Sequence, residues 1–207
     1  RHGITDFTAS SRMDGRGGSN PSLNDIGRRQ AAAAASAVRE IVRAQRGREV
    51  TVVTSGLRRA QETGAAVAEA LGVEPVVDAD WDEVAFGDWD GRSFPELVAE
   101  HPDELRRPRF DPTYARPGGE STDELHARVA AAYGRAVDRG GVIVVASHRR
   151  PILAVLSEIL HVPATASWAF AIAPASLTAV EVWPDGNASI AFTNRTHHLT
   201  GDLVTRI

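Results

Sequence analysis

Val50-Thr51-Val52-Val53-Thr54-Ser55-Gly56-Leu57-Arg58-Arg59-Ala60 is the stretch from which the fold follows. Five β-branched residues in succession suit a short buried strand, because branched side chains pack well on a pleated surface. Ser55 offers a cap for a following helix, which runs to Leu71 and stops at Gly72 in the C′ position. A strand that passes directly into a helix is half of a βα unit. Val142–Ala146 repeats the pattern as a strongly apolar strand, expected at the centre of a parallel sheet. Ser147-His148 follows it, then a helix with Pro151 in its first turn that reaches Leu160.

Working outward, Asn24 is an N-cap for a helix over about residues 25–45, through the Ala31–Ala35 tract. Val76–Val77 is a second short strand. Ser121-Thr122-Asp123-Glu124 is a capping box that opens a helix to about Asp138. Leu177–Trp183 and Ser189–Thr193 flank Asp185-Gly186, a hairpin turn signal. Residues 6–22 are polar and Gly-rich and read as a loop. Residues 84–120 lose periodicity and gather Gly, Pro, Trp and Phe, so they read as an inserted cap or substrate loop. Strands that alternate with helices imply an α/β, three-layer α/β/α sandwich on a mostly parallel sheet. One domain over residues 1–207 is expected, without internal repeats.

Two absences prune the chemistry. The chain has no cysteine, which excludes thiolate phosphatases, iron–sulfur sites and disulfide scaffolds. It also has no lysine, and all 23 basic residues are arginine. The Walker lysine, Schiff-base enzymes and lysine general bases are therefore excluded. Anions must be recognised by arginine, histidine or backbone N–H. The net charge of −4 gives no footprint for nucleic acid or an acidic membrane surface. No run approaches the roughly 18 apolar residues of a membrane-spanning helix, and no signal peptide is visible. A cytoplasmic protein without nucleic-acid or membrane partners is expected.

Four segments at strand ends carry reactive side chains. Arg1-His2-Gly3-Ile4-Thr5 opens the chain. Arg58 and Arg59 follow the first strand, Glu83 follows the second in Trp81-Asp82-Glu83, and Ser147-His148 follows the strand at 142–146. Ligands of open α/β sheets bind outside the carboxyl ends of the strands, so these segments should converge. One histidine would attack phosphorus, held in the correct tautomer by a backbone carbonyl. Arginine would grip the equatorial oxygens, and the second histidine would add a donor, as imidazolium or as a neutral N–H. A carboxylate would protonate the leaving alkoxide and then activate water. No metal or other cofactor is required, because arginine supplies the positive charge. An RHG turn should itself follow a strand; that first strand is missing from the sequence as given, which begins at Arg1.

The sequence resembles the histidine phosphatase superfamily, in its phosphoglycerate mutase-like branch, over essentially its whole length. The resemblance is carried by Arg1-His2-Gly3 with Thr5, Leu23-Asn24-Asp25-Ile26-Gly27 with Gln30-Ala31, and Ser55-Gly56-Leu57-Arg58-Arg59-Ala60 with Thr63. It continues through Glu83, Phe86-Gly87-Asp88-Trp89-Asp90-Gly91, Pro117-Gly118-Gly119-Glu120-Ser121, Ser147-His148, Asn194 and His198-Leu199. It implies His2 as the phosphorylated nucleophile, Arg1, Arg59 and His148 as the phosphate pocket, and Glu83 as the acid/base. Arg59 rather than Arg58 is implied, because the family's ligand stands directly before Ala60. Thr5, Ser10 and Ser11 are implied near the phosphate. His101, His126 and His161 match nothing, and His197 and His198 read as structural.

The family usually has glycine after the second histidine, where this chain has Arg149, followed by Arg150 and Pro151. Arg149 either narrows the pocket or points away and grips a second anionic group, and is expected to face solvent or the pocket rim. The cap is short, and its Phe86–Gly91 part is acidic. That favours a phosphatase of small phosphomonoesters over a mutase, which must keep its phosphohistidine dry under a longer, basic cap. The patterns are most similar to the α-ribazole phosphatase-like and acid phosphatase members. Some of those are fused to ribonuclease H, but no such segment is present here and no nuclease activity is implied. The alternatives are mutase-type phosphoryl transfer and a non-catalytic relative that binds phosphorylated ligands or protein partners. A homodimer is a possible assembly.

Overall fold

The structure is a computed structural model and describes residues 1–205. At its centre are three parallel strands, β1 (Val50–Thr54), β2 (Pro75–Val77) and β3 (Val142–Ala146), in the order β2-β1-β3. Val52 pairs with Pro75 on one side of β1 and with Val144 on the other. Among the described strands β1 stands between β2 and β3; its residues 52–54 are buried, and residues 142–145 of β3 are half-buried.

Period-two alternation in β1 sends neighbouring valines to opposite layers. Val52 packs against α2 (Asp25–Arg43) and α3 (Arg58–Leu71), through Ala35, Val38, Val67 and Ala68. Val53 packs against α6 (Thr122–Arg139) and α7 (Arg149–Leu160), through Leu125, Val129, Ala132 and Ala154. This is the three-layer α/β/α arrangement. A hairpin of β4 (Leu177–Val182) and β5 (Ala188–Arg195) completes it, antiparallel and turned at Asp185-Gly186 with Gly186 at φ 83°.

Local signals place most element ends. Asn24 accepts from Gly27 N to cap α2. The Ser121–Glu124 capping box opens α6, and Gly72 closes α3 in the left-handed region. Two expectations are corrected. Residues 6–22 are not all loop, because Thr5 caps a one-turn helix α1 (Asp6–Ala9). Ser55 does not cap α3, whose N-cap is Leu57 with no side-chain bond. The Ser55 hydroxyl is drawn instead to Asp82, a buried carboxylate that makes the stronger acceptor. The segment 84–120 holds two short helices, α4 (Phe94–Glu100) and α5 (Pro102–Arg106), and single 3₁₀ turns at Gly87–Trp89 and Arg107–Arg109.

Residues 1–3 lie between the carboxyl end of β3 and the chain entering β4. His2 N donates to Ser147 O at 2.9 Å, Ala175 N donates to His2 O at 3.0 Å, and Arg1 N donates to Ser176 O at 3.0 Å. This two-sided pairing aims His2 at the same edge as the ends of β1 and β3. Gly3 and Gly27 permit it. A Cβ at Gly3 would meet the Gly27 carbonyl, and one at Gly27 would meet the Ile4 carbonyl, so α2 can approach only a glycine turn.

Candidate active site

His2 is buried, and its Nδ1 lies 2.6 Å from its neighbour's carbonyl, Gly3 O. A carbonyl only accepts, so Nδ1 carries the proton and Nε2 keeps its lone pair. Gly3 is fixed in turn by Thr63 Oγ1, which accepts from Gly3 N at 3.2 Å and donates to Arg59 O at 2.7 Å. Gln30 is fully buried and accepts from Ile4 N at 2.9 Å. Burial holds the His2 pKa well below the ordinary histidine value, and the Arg59 and Arg1 cations push the same way. The ring is therefore neutral at physiological pH.

Arg59 is fully buried and donates from Nε to His2 Nε2 at 3.3 Å. Its NH2 donates to Asp14 O at 2.9 Å, and NH1 lies 3.0 Å from Asp14 Oδ1, out of line for a hydrogen bond. Burial raises the Asp14 pKa to about 6, although Arg59 opposes the shift. Asp14 is itself positioned by Asp90, whose Oδ1 accepts from Gly15 N at 2.7 Å. Arg58, by contrast, is exposed. Arg1 donates from NH1 to Ile172 O at 2.7 Å; burial lowers its pKa to about 10, so it stays a cation.

His148 is fully buried, with its ring centroid 4.9 Å from that of His2. Its Nε2 lies 2.8 Å from Ser55 Oγ, and Ser55 gives its single proton to Asp82 Oδ1 at 2.7 Å. Nε2 must therefore be the donor to Ser55. Burial, Arg59 and His2 hold the His148 pKa well below the ordinary value. Neutral His148 thus has its bare lone pair on Nδ1. Asp82 also accepts from Gly56 N at 2.7 Å, so the series Asp82–Ser55–His148 ties the ends of β1 and β3 together.

Glu83 is buried beside these groups. Its Oε1 accepts from Val84 N at 2.9 Å, and both oxygens receive Arg150 N at 3.3 and 3.4 Å. Arg128 of α6 clamps the backbone that carries it. NH1 donates to Asp80 O and Asp82 O, each at 2.8 Å, and NH2 to Glu83 O at 3.2 Å. Glu120 closes the clamp, accepting from Arg128 Nε at 2.7 Å and NH2 at 2.8 Å.

The structure thus brings Arg1, His2, Arg59, Glu83 and His148 together. Thr5, Ser10 and Ser11 make no hydrogen bond to these side chains. Thr5 Oγ1 is committed to capping α1. Ser10 Oγ turns back to Asp6 O, and both serines are exposed, with no hydrogen bond to the cluster. Arg149 lines a cavity of about 550 Å³ beside the cluster. His198 is structural, with Nε2 3.0 Å from Ala175 O. Sequence reasoning missed Asp14, Ser55 as a partner of His148, Asp82 and Arg128. Only Asp82 carried a signal, as the neighbour of Glu83.

Three buried polar atoms in the cluster have no hydrogen-bond partner among the described residues: Arg1 Nε, Arg59 NH1 and His148 Nδ1. Such atoms are costly to bury alone, and an oxyanion offers lone pairs and protons to satisfy them. Among the described residues no group of three or more His, Asp or Glu side chains is placed to hold a metal ion.

The sequence model of the histidine phosphatase superfamily (branch 1) matches residues 1–195. A bifunctional protein of Mycobacterium tuberculosis is 36% identical over 201 residues, 96% of this chain and 53% of that protein. The chain therefore spans about half the length of that relative. A glucosyl-3-phosphoglycerate phosphatase of Mycobacterium tuberculosis is 32% identical over 178 residues, 81% of this chain and 76% of the relative. Among solved structures, a mycobacterial glucosyl-3-phosphoglycerate phosphatase in complex with VO3 superposes with a TM-score of 0.82. It is 28% identical, over 95% of this chain and 97% of that one.

Proposed function

From the premise that this chain belongs to the histidine phosphatase superfamily (branch 1), we propose that it hydrolyses small-molecule phosphomonoesters through a phosphohistidine on His2, without a metal ion. One observation carries the reading. The Nδ1–H of His2 is spent on Gly3 O, so its Nε2 lone pair stands beside a buried arginine with an unpartnered N–H. The Nε2 lone pair attacks phosphorus and the ester P–O bond breaks. Glu83, protonated, gives its proton to the leaving alkoxide. Glu83 as carboxylate then takes a proton from water, and the hydroxide attacks the phosphorus. The P–N bond breaks, its electron pair returns to Nε2, and inorganic phosphate leaves. Arg59 and Arg1 hold the oxygens as charge spreads over them, displacing the resting Arg59–His2 contact. The residues around 84–120 form the cap over this site.

The proposed role of His148 depends on its protonation. Its N–H is already given to Ser55, so Nδ1 contributes a donor only when His148 is protonated. The phosphate monoanion, which brings its own proton, supplies that state.

The test is turnover of p-nitrophenyl phosphate with and without EDTA, for the native protein and for His2→Ala. Metal-independent turnover that His2→Ala abolishes is expected. No turnover by the folded native protein would overturn the enzymatic reading, and EDTA-sensitive turnover the metal-free one. Glu83→Gln should retain phosphate binding and slow glycerol 3-phosphate hydrolysis by about 10²–10⁴-fold. The loss should be smaller for p-nitrophenyl phosphate, whose leaving group needs no proton. Full activity of Glu83→Gln on glycerol 3-phosphate would refute the acid/base assignment.

A further inference from the structure

Arg59 touches a second carboxyl group that the hydrolytic steps do not use. Its Nε donates to His2 Nε2 at 3.3 Å, while its NH1 lies 3.0 Å from Asp14 Oδ1. The Asp14 side chain is only 9% exposed, and that of Arg59 is fully buried. Yet neither Asp14 oxygen, nor Arg59 NH1, has a hydrogen-bond partner among the described residues. A buried pair this close, without an aligned hydrogen bond, is poorly compensated for its lost water. The next backbone donor along the chain, Gly15 N, is already taken by Asp90 Oδ1 at 2.7 Å.

The other charges around Asp14 do not help it to ionise. Asp90, from the cap, and Glu83, from the connection after β2, both oppose its negative charge, and Arg59 of α3 is the cation that favours it. Arg16, two residues on, turns to Glu120 at 4.0 Å. Burial is the largest cause that raises the Asp14 pKa, to about 6. Asp14 therefore changes charge in the range where a phosphomonoester does, at about 6. An oxyanion at His2 alters this further. Arg59 NH1 turns its free N–H to an anion oxygen, so the one cation beside Asp14 is shared with further negative charge. An ionised Asp14 would be repelled there, whereas a protonated Asp14 becomes a hydrogen-bond donor.

We propose that Asp14 is a substrate-binding carboxylic acid: it takes one proton from solvent as the oxyanion binds, and its O–H donates a hydrogen bond to an anion oxygen beside Arg59 NH1. The proton stays on the Asp14 carboxyl group, and no bond of the ester is made or broken in this step. Glu83 keeps its separate place as acid and base at the leaving group and at water. The proposal rests on the phosphatase reading of His2 and Arg59, and adds to that site a residue that sets its pH dependence. The sign follows from reciprocal linkage. A proton taken up on binding makes the affinity for the oxyanion fall as pH rises through the range in which free Asp14 ionises.

Sulfate is the probe, because it keeps two negative charges and carries no proton of its own near neutral pH. Every proton taken up on binding is then the protein's. Its affinity is measured by calorimetry between about pH 5 and pH 8, in buffers of different ionisation enthalpy, for the native protein and Asp14→Asn. Above about pH 6 the native affinity should fall more steeply than that of the variant, by up to about tenfold per pH unit, with up to one more proton taken up. Near pH 5, where Asp14 is already protonated, the two slopes should converge. Protons taken up by His148 count in both proteins and cancel in the comparison. Equal slopes and equal proton uptake would overturn the proposal and leave the phosphatase reading standing. Asp14→Ser serves the same comparison should Asp14→Asn not fold. The native protein alone gives a further check: sulfate added at pH 7 should raise the infrared band of a protonated carboxyl group, and its absence would overturn the proposal. So would an active native protein that binds no sulfate even at pH 5. A folded native protein that neither binds sulfate nor hydrolyses p-nitrophenyl phosphate would remove the phosphatase reading, and the role of Asp14 with it.

Discussion

At His2 a single hydrogen bond to a carbonyl one residue away selects the tautomer, and burial does the rest by keeping the ring neutral. The sequence pointed to a tautomer held by a backbone carbonyl; which carbonyl, which nitrogen and the burial came with the fold. The state of His148 was not legible in the sequence, because it depends on Ser55, 93 residues distant, and on Asp82, 27 residues from Ser55. Asp82→Asn should weaken the acceptor for Ser55 and make protonated His148 harder to form. A loss of about ten- to a hundredfold in kcat/KM is expected, with the pH profile displaced. An unshifted pH profile with a lowered melting temperature would mean that Asp82 only holds the turn at Gly56. The place before Ala60 pointed to Arg59 rather than Arg58, and Arg59 is the one buried against His2. Its clamp by Asp14 left no trace in the sequence, since Asp14 lies in a Gly-rich loop and is brought in by Asp90.

Among the elements, the connection from β2 to Glu83 depends most on distant partners. Residues 78–83 contain one 3₁₀ turn, and their carbonyls are satisfied by Arg128 from α6. Arg128→Ala would leave three carbonyls unpartnered and the Glu120 carboxylate with only Ala85 N and the more distant Arg16. It should cost about 3 kcal/mol in urea unfolding and lower kcat by loosening Glu83. Wild-type stability for Arg128→Ala would refute the clamp. The crossing of α2 over the RHG turn depends on two glycines instead. Gly27→Ala places a methyl against the Ile4 carbonyl and should destabilise by about 1–3 kcal/mol, read from the same unfolding curves. Strand and helix identities here were legible because branching, capping boxes and left-handed glycines act within a few residues. The helical content of 84–120 was not, because its short helices form against neighbours such as the Ser11 carbonyl, which accepts from Phe94 N at 2.8 Å.

For the molecule as a whole, the buried charges set a pH dependence of stability. His2 and His148 have depressed pKa values, so near pH 5 the unfolded chain holds two protons that the folded chain lacks. Asp14 acts in the opposite sense. Its pKa of about 6, against 3.8 when unfolded, lets the folded chain hold one proton that the unfolded chain lacks. The balance is one proton, so stability from these three groups falls with acidification by about 1.4 kcal/mol per pH unit. Melting temperatures between pH 7 and pH 5 check this, and His148→Gln should flatten the slope. The sequence by itself determined the α/β class, the candidate residues Arg1, His2, Arg59, Glu83 and His148, and the chemistry open to a chain with arginine but no lysine or cysteine. Those follow from side-chain type and from periodicities that repeat within one element. Only the tertiary structure decided the strand order β2-β1-β3, which nitrogen of each histidine is free, and where Arg149 points. Each of these depends on groups far apart in the chain, held together by a core that no local pattern records.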